Sequence, residues 1–203
     1  MVRRLLQLYV GLGLYGLSTA MFIRSDLGVD PWDVFHLGVG LQLRMTIGTV
    51  IILTGAAVLL LWFPLRQMPG LGTLSNVVCI GLAADASMAL IPELDFLPIR
   101  IALLVGGIVL NAIATGMYIG AGFGAGPRDG LMTGIHARLG WSIRSVRTSI
   151  EVSVLLIGCV LGGTFGVGTV LYALTIGPLI QLCLPWFRQK PRTDNVPQPE
   201  RVV

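Results

Sequence analysis

Long apolar runs alternate with short polar breaks along this chain. Uncharged stretches cover 5–23, 45–65, 101–127 and 167–187, and two more carry one acid each, Asp85 within 70–91 and Glu151 within 148–165. Each is close to the roughly 20 residues that cross about 30 Å of hydrocarbon. Six spans are therefore predicted, and between the first and second, and again between the fourth and fifth, stands a short amphipathic segment, 31–43 and 127–139.

The segments fall into a duplicated plan. Gly28-Val-Asp-Pro-Trp-Asp33 returns as Gly124-Ala-Gly-Pro-Arg-Asp129, and with the same 96-residue offset Thr19 pairs with Thr115, Gly38 with Gly134, Gly72 and Thr73 with Gly168 and Thr169, and Gly81 with Gly177. Repeats of this kind decide the architecture before any single motif does. The expected fold is an all-α polytopic membrane protein: six transmembrane helices in two inverted three-helix repeats, each with a re-entrant or interfacial helix. Residues 1–92 form the first repeat, 93–187 the second, and 188–203 a polar, disordered cytoplasmic tail. Inverted three-plus-three repeats recur among transporters. The rival count is eight spans in parallel repeats. Thirteen residues of helix reach only about 20 Å at 1.5 Å each, which favours six.

Composition agrees with a bilayer as solvent: 54% of the 203 residues are hydrophobic and 12% charged, with a mean hydropathy of +0.83. The pI of 9.3 does not imply nucleic acid. With the N-terminus inside, Arg3, Arg4, Arg66, Arg128, Arg138, Arg144, Arg147, Arg188, Lys190, Arg192 and Arg201 fall on the cytoplasmic side and Arg24, Arg44 and Arg100 outside, a positive-inside division with both termini cytoplasmic. Arg3 and Arg4 ahead of an apolar run read as a retained signal anchor. Cys79, Cys159 and Cys183 are far apart and suggest neither a disulfide framework nor a zinc site.

Glu151 is the foremost candidate for chemistry, because an acid within a span is costly and functional by default. Arg147 stands one turn earlier, at ion-pair spacing. Asp30, Pro31 and Asp33 read as a helix start, with a capping side chain, a proline whose missing N–H does no harm and an acid facing unpaired amides. Pro127 and Asp129 repeat it. Since Asp33 and Asp129 already neutralise those helix ends, a cation, a proton or a neutral solute suits a site there better than a bare anion. Arg128 takes the place that Trp32 fills in the first copy; interfacial anchoring is the expected use of both. Asp85 and Asn111 are weaker candidates and Gln181 weaker still. His36 and His136 are expected at the interface, and Thr73 and Thr169 as helix N-caps. Small residues at helical spacing, Gly16, Ala20 and Gly28, then Ala112, Gly116, Gly120 and Gly124, predict close packing of the first and fourth spans; Gly158 and Gly162 offer a similar face on the fifth.

These residues, together with Arg147 through Glu151, Leu161-Gly-Gly-Thr-Phe-Gly-Val-Gly-Thr169 and Ile176-Gly-Pro178, resemble the bacterial YczE/YitT-type integral membrane proteins over nearly the whole chain except the tail. The resemblance implies a bacterial cytoplasmic membrane location and marks Pro31, Asp33, Pro127, Arg128, Asp129, Arg147 and Glu151 as working positions. The function expected is a secondary transporter or permease for a small solute, proton-coupled through Glu151; the alternative is a membrane scaffold that binds a partner and moves nothing. The expected partners are the lipid bilayer and a small-molecule solute, with a homo-oligomer left open and no nucleic acid. No cofactor, metal or enzyme motif is found.

Overall fold

A computed structural model of the chain describes residues 1–188, and the expected tail lies almost wholly outside them. Eight helices make up the described residues: α1 (Val2–Ser25), α2 (Pro31–Leu43), α3 (Ile47–Leu65), α4 (Leu71–Leu90), α5 (Leu97–Gly120), α6 (Pro127–Leu139), α7 (Ile143–Val160) and α8 (Val167–Phe187). The helices α1, α3, α4, α5 and α8 are long and apolar enough to cross a membrane. The remaining expected span, α7, has 18 residues but carries Arg144, Arg147 and Glu151. The short helices α2 and α6 have the bounds expected from the sequence.

At the centre α1 and α5 run antiparallel. Arg4 at the start of α1 donates to the Ala121 carbonyl just past the end of α5 (2.9 Å), and Arg100 at the start of α5 donates to the Ser25 carbonyl at the end of α1 (2.7 Å). Gly11 lets the two backbones meet, since a Cβ there would lie 2.9 Å from Met117 Cβ. The stripes divide their work differently from expectation. Gly16 faces α4, against Ala83 and Ala84, and Gly116 and Gly120 face α8, against Cys183 and Phe187. Gly158 receives α2, where a Cβ would lie 2.5 Å from the Phe35 amide nitrogen.

The helix α4 runs parallel to α1, with Tyr9 beside Ser75 at one end and Arg24 donating to the Met88 carbonyl at the other. Antiparallel to α4 lies α3. Its first turn is held by Asp85, which accepts from the Gly48 amide (2.8 Å) and the Thr46 hydroxyl (2.6 Å). The segment from the end of α1 to the start of α3, which contains α2, therefore begins and ends at the same end of the bundle.

The two sequence halves interlock through their short helices: α2 packs on α7 and α6 on α3. The turns before them cross over as well. Gly168 at the start of α8 donates its amide to Leu27 (2.7 Å), and Gly72 at the start of α4 donates to Phe123 (2.8 Å). Both turns use a glycine at positive φ, Gly28 at 109° and Gly124 at 122°, wedged against the facing helix start. A side chain there would be strained and would also collide with that helix. Thr73 and Thr169, expected from the sequence to be N-caps, are not. Gly70 and Gly166 hold that place, and the threonines, three residues on, accept from their amides; Thr73 also donates to the Ala125 carbonyl (2.7 Å). The reason is the crossing turn, which needs a residue without Cβ at the cap itself.

Large apolar side chains such as Leu60, Phe63, Val160, Val167, Leu174 and Trp186 point outward from the bundle. In a soluble protein so much exposed apolar surface would be a liability, whereas in lipid it is the normal exterior.

Candidate functional site

The starts of α2 and α6 come together beside the middle of α1 and the last two turns of α5, around a cavity of about 220 Å³. Its walls include Asp30, Pro31, Trp32 and His36 from the first helix start, Gly126, Pro127, Arg128 and Asp129 from the second, Tyr15 of α1, Asn76 of α4, Thr115 and Tyr118 of α5, Arg147 and Glu151 of α7, and Tyr172 of α8. Every helix of the bundle contributes to it. Proline at the first helical position of α2 and α6 starts each helix abruptly, so that capping groups and first-turn side chains project into the space rather than along a continuing span.

Asp30 caps α2 by accepting from the Asp33 amide through Oδ1 (2.8 Å). Its other oxygen, Oδ2, is buried and has no hydrogen-bond partner among the described residues. The guanidinium of Arg128 approaches it at 3.8 Å, beyond hydrogen-bond length, and lies over the Trp32 ring at 4.7 Å from the centroid. Behind Asp30, Asp33 shares a hydrogen bond with His36 Nδ1 (3.0 Å), both side chains being almost wholly enclosed. On the α6 side, Asp129 accepts from the Tyr118 hydroxyl (2.9 Å), and the Pro127 carbonyl accepts from the Trp62 indole (2.9 Å). Arg147 and Glu151 pair at 2.8 Å on the α7 wall and remain partly exposed. An acid at the centre of a membrane helix costs about 2.5–3.5 kcal/mol on the insertion scale. Asp30 and Asp33 are held in the interior against that cost.

Of the residues expected from the sequence, the structure gathers Pro31, Pro127, Arg128, Asp129, Arg147 and Glu151 around this one space. Asp33 stands just behind the wall. Asp85 lies elsewhere, on α4, where it accepts from the Gly48 amide and from the hydroxyl of Thr46, the N-cap of α3. Asn111 sits behind the cavity, donating to the Ser18 hydroxyl (2.9 Å) and accepting from the Tyr172 hydroxyl (3.1 Å). Two expectations are corrected. His36 is buried against Asp33 rather than interfacial, because α2 is covered by α7 and α3. Trp32 and Arg128 are not anchors at opposite interfaces; they stack on each other, because the two helix starts converge.

Sequence reasoning treated Asp30 only as a cap and passed over Tyr15, Tyr118 and Tyr172. A signal was available for one of them. Tyrosine in membrane helices favours the ends of spans, where the hydroxyl meets water, and Tyr15 lies at the middle of α1; Tyr118, near the end of α5, and Tyr172, in the second turn of α8, gave no such signal.

A bundle of eight helices, five of them long and apolar enough to span, with its polar groups turned inward, defines a polytopic helical membrane protein. The chain belongs to the family of unknown function DUF6198, whose model matches residues 2–185. It is 40% identical over 177 residues to an uncharacterized protein of Haemophilus influenzae, covering 87% of this chain and 81% of that one. It is 34% identical over 181 residues to the uncharacterized membrane protein YczE of Bacillus subtilis, covering 87% and 83%. It is also 26% identical over 184 residues to the uncharacterized protein YyaS of that organism, covering 88% and 92%. No solved structure matches the chain.

Proposed function

We propose that this protein is a secondary transporter or permease for a small solute, with the cavity between the two helix starts as its binding site. The observation that carries the reading is the convergence of α2 and α6 on a cavity inside the bundle, with a buried carboxylate oxygen that has no hydrogen-bond partner among the described residues. Interrupted helices meeting at a midplane site between inverted repeats are a transporter arrangement. The antiparallel pairing of α1 with α5 and the parallel pairing of α1 with α4 support three crossings per half, since eight crossings would reverse both relations. On that reading α7 is the sixth crossing, α2 and α6 are re-entrant, and the chain resides in the bacterial cytoplasmic membrane with both termini inside. Asp30 and Arg128 hold the solute, and Glu151, released from Arg147, carries the coupling proton.

Reconstituted protein on a solid-supported membrane tests this with panels of ammonium, carboxylate, zwitterionic and neutral solutes. Currents absent from empty liposomes are expected for at least one panel, and Glu151→Gln removes their dependence on a pH gradient while the protein stays folded in the membrane. Silence across all four panels, together with a cysteine at Thr115 that no water-soluble thiol reagent reaches from either side, would sink the permease reading.

A further inference from the structure

Which solute fits is written in the positions where the two halves differ. At matched places the first helix start has Asp30 and Trp32, the second Gly126 and Arg128. The cavity brings these differences to one point: the acid, the indole face and the guanidinium. The guanidinium is held loosely. Its nitrogen stops 3.8 Å from Asp30 Oδ2, which makes no hydrogen bond among the described residues, and its carbon lies 4.7 Å above Trp32. With Glu151 and Arg147 paired to each other, Arg128 faces two acids on the cavity wall, Asp30 and Asp129, and a third, Asp33, behind them. A partly open site whose innermost carboxylate, Asp30, is buried and that holds an excess of acids favours a further positive charge, and aromatic faces beside a carboxylate are the surroundings in which organic cations bind.

We propose, building on the permease reading, that the solute is a small organic cation carrying an ammonium or guanidinium group. Its charge contacts Asp30 Oδ2 and the Trp32 face, the place beside which Arg128 lies in the structure. Arg128 is thus a tethered competitor that offsets the charge of the carboxylate without hydrogen-bonding it and yields to the solute. The cavity volume, about 220 Å³, is below the 300–1,000 Å³ common for drug-sized ligands and limits the solute to a small one.

The test is calorimetric titration of the full-length protein in nanodiscs with benzylammonium, guanidinium and tetramethylammonium, against benzyl alcohol and benzoate as neutral and anionic counterparts. At least one cation should bind, and benzoate should not. Asp30→Asn should weaken that cation by about tenfold or more, as expected when a buried counter-charge is lost. Arg128→Gln should tighten it, because the competitor is gone. If Arg128→Gln purifies poorly, its thermal midpoint should rise with added cation by more than that of the unaltered protein. Binding of benzoate that disappears in Arg128→Gln would overturn the proposal and make Arg128 an anion site, leaving the permease reading intact. Failure of all three cations to bind either protein would overturn it equally. The permease reading is judged separately by the solute currents.

Discussion

Asn111 shows how a polar side chain is kept within a span. It ties α1 to α8 from the middle of α5, through Ser18 and Tyr172. Hydrogen bonds between membrane helices contribute about 0.6 kcal/mol on average and up to about 1.7. Asn111→Ala, which removes both bonds, should therefore lower stability by roughly 1–3 kcal/mol in detergent unfolding. Because Tyr172 lines the cavity, cation binding should weaken in the same variant by a smaller factor than in Asp30→Asn. A variant as stable as the parent would mean that neither bond survives in the membrane-like environment. This residue was visible in the sequence as an amide in an apolar run. Its partners were not, since Ser18 and Tyr172 lie 93 and 61 residues away.

Among the helices, the two halves part company at one contact. Gly48 and Gly81 allow α3 and α4 to close on each other: a Cβ on Gly81 would lie 2.5 Å from the Gly48 carbonyl, and Asp85 locks the junction. The matched positions in the second half are Arg144, Gly177 and Gln181. There Gly177 has open space around it, and α7 makes no comparable packing against α8. An arginine in place of Gly48 prevents the close approach, so α7 stands off with Glu151 and Arg147 on its cavity side. The two glycines should then respond oppositely to one extra methyl group. Gly81→Ala should cost about 1–3 kcal/mol by overpacking, and Gly177→Ala should leave the thermal midpoint unchanged. Equal losses would mean that α7 and α8 also close in the membrane. The repeat predicts both glycines alike; the difference comes from the residue facing each, which a one-dimensional comparison does not supply.

For the bundle as a whole, sidedness is the property on which the transporter reading stands. A single reporter cysteine within 93–97, in a variant lacking Cys79, Cys159 and Cys183, should react with an impermeant reagent in intact cells. One within 67–70 should react only after the membrane is opened. The reverse pattern would favour eight crossings and parallel halves, and the helix starts of α2 and α6 would then lack their midplane geometry. A third reporter at Gln42, which donates to the Leu161 carbonyl beyond the end of α7, should label from the same side as 93–97.

The helices themselves were legible in the chain, down to the bounds of α2 and α6, because a span needs a run of apolar residues and a proline after a capping acid or glycine starts a helix wherever it stands. The Arg147–Glu151 pair was legible for the same reason: it depends on residues near in sequence. The meeting of Asp30, Trp32 and Arg128, the burial of His36 and the inequality of Gly81 and Gly177 depend on which helix of one half packs on which of the other. In lipid that choice rests on close backbone contact and interhelical hydrogen bonds spread over many small residues. No local pattern encodes it, and it is settled when the chain folds.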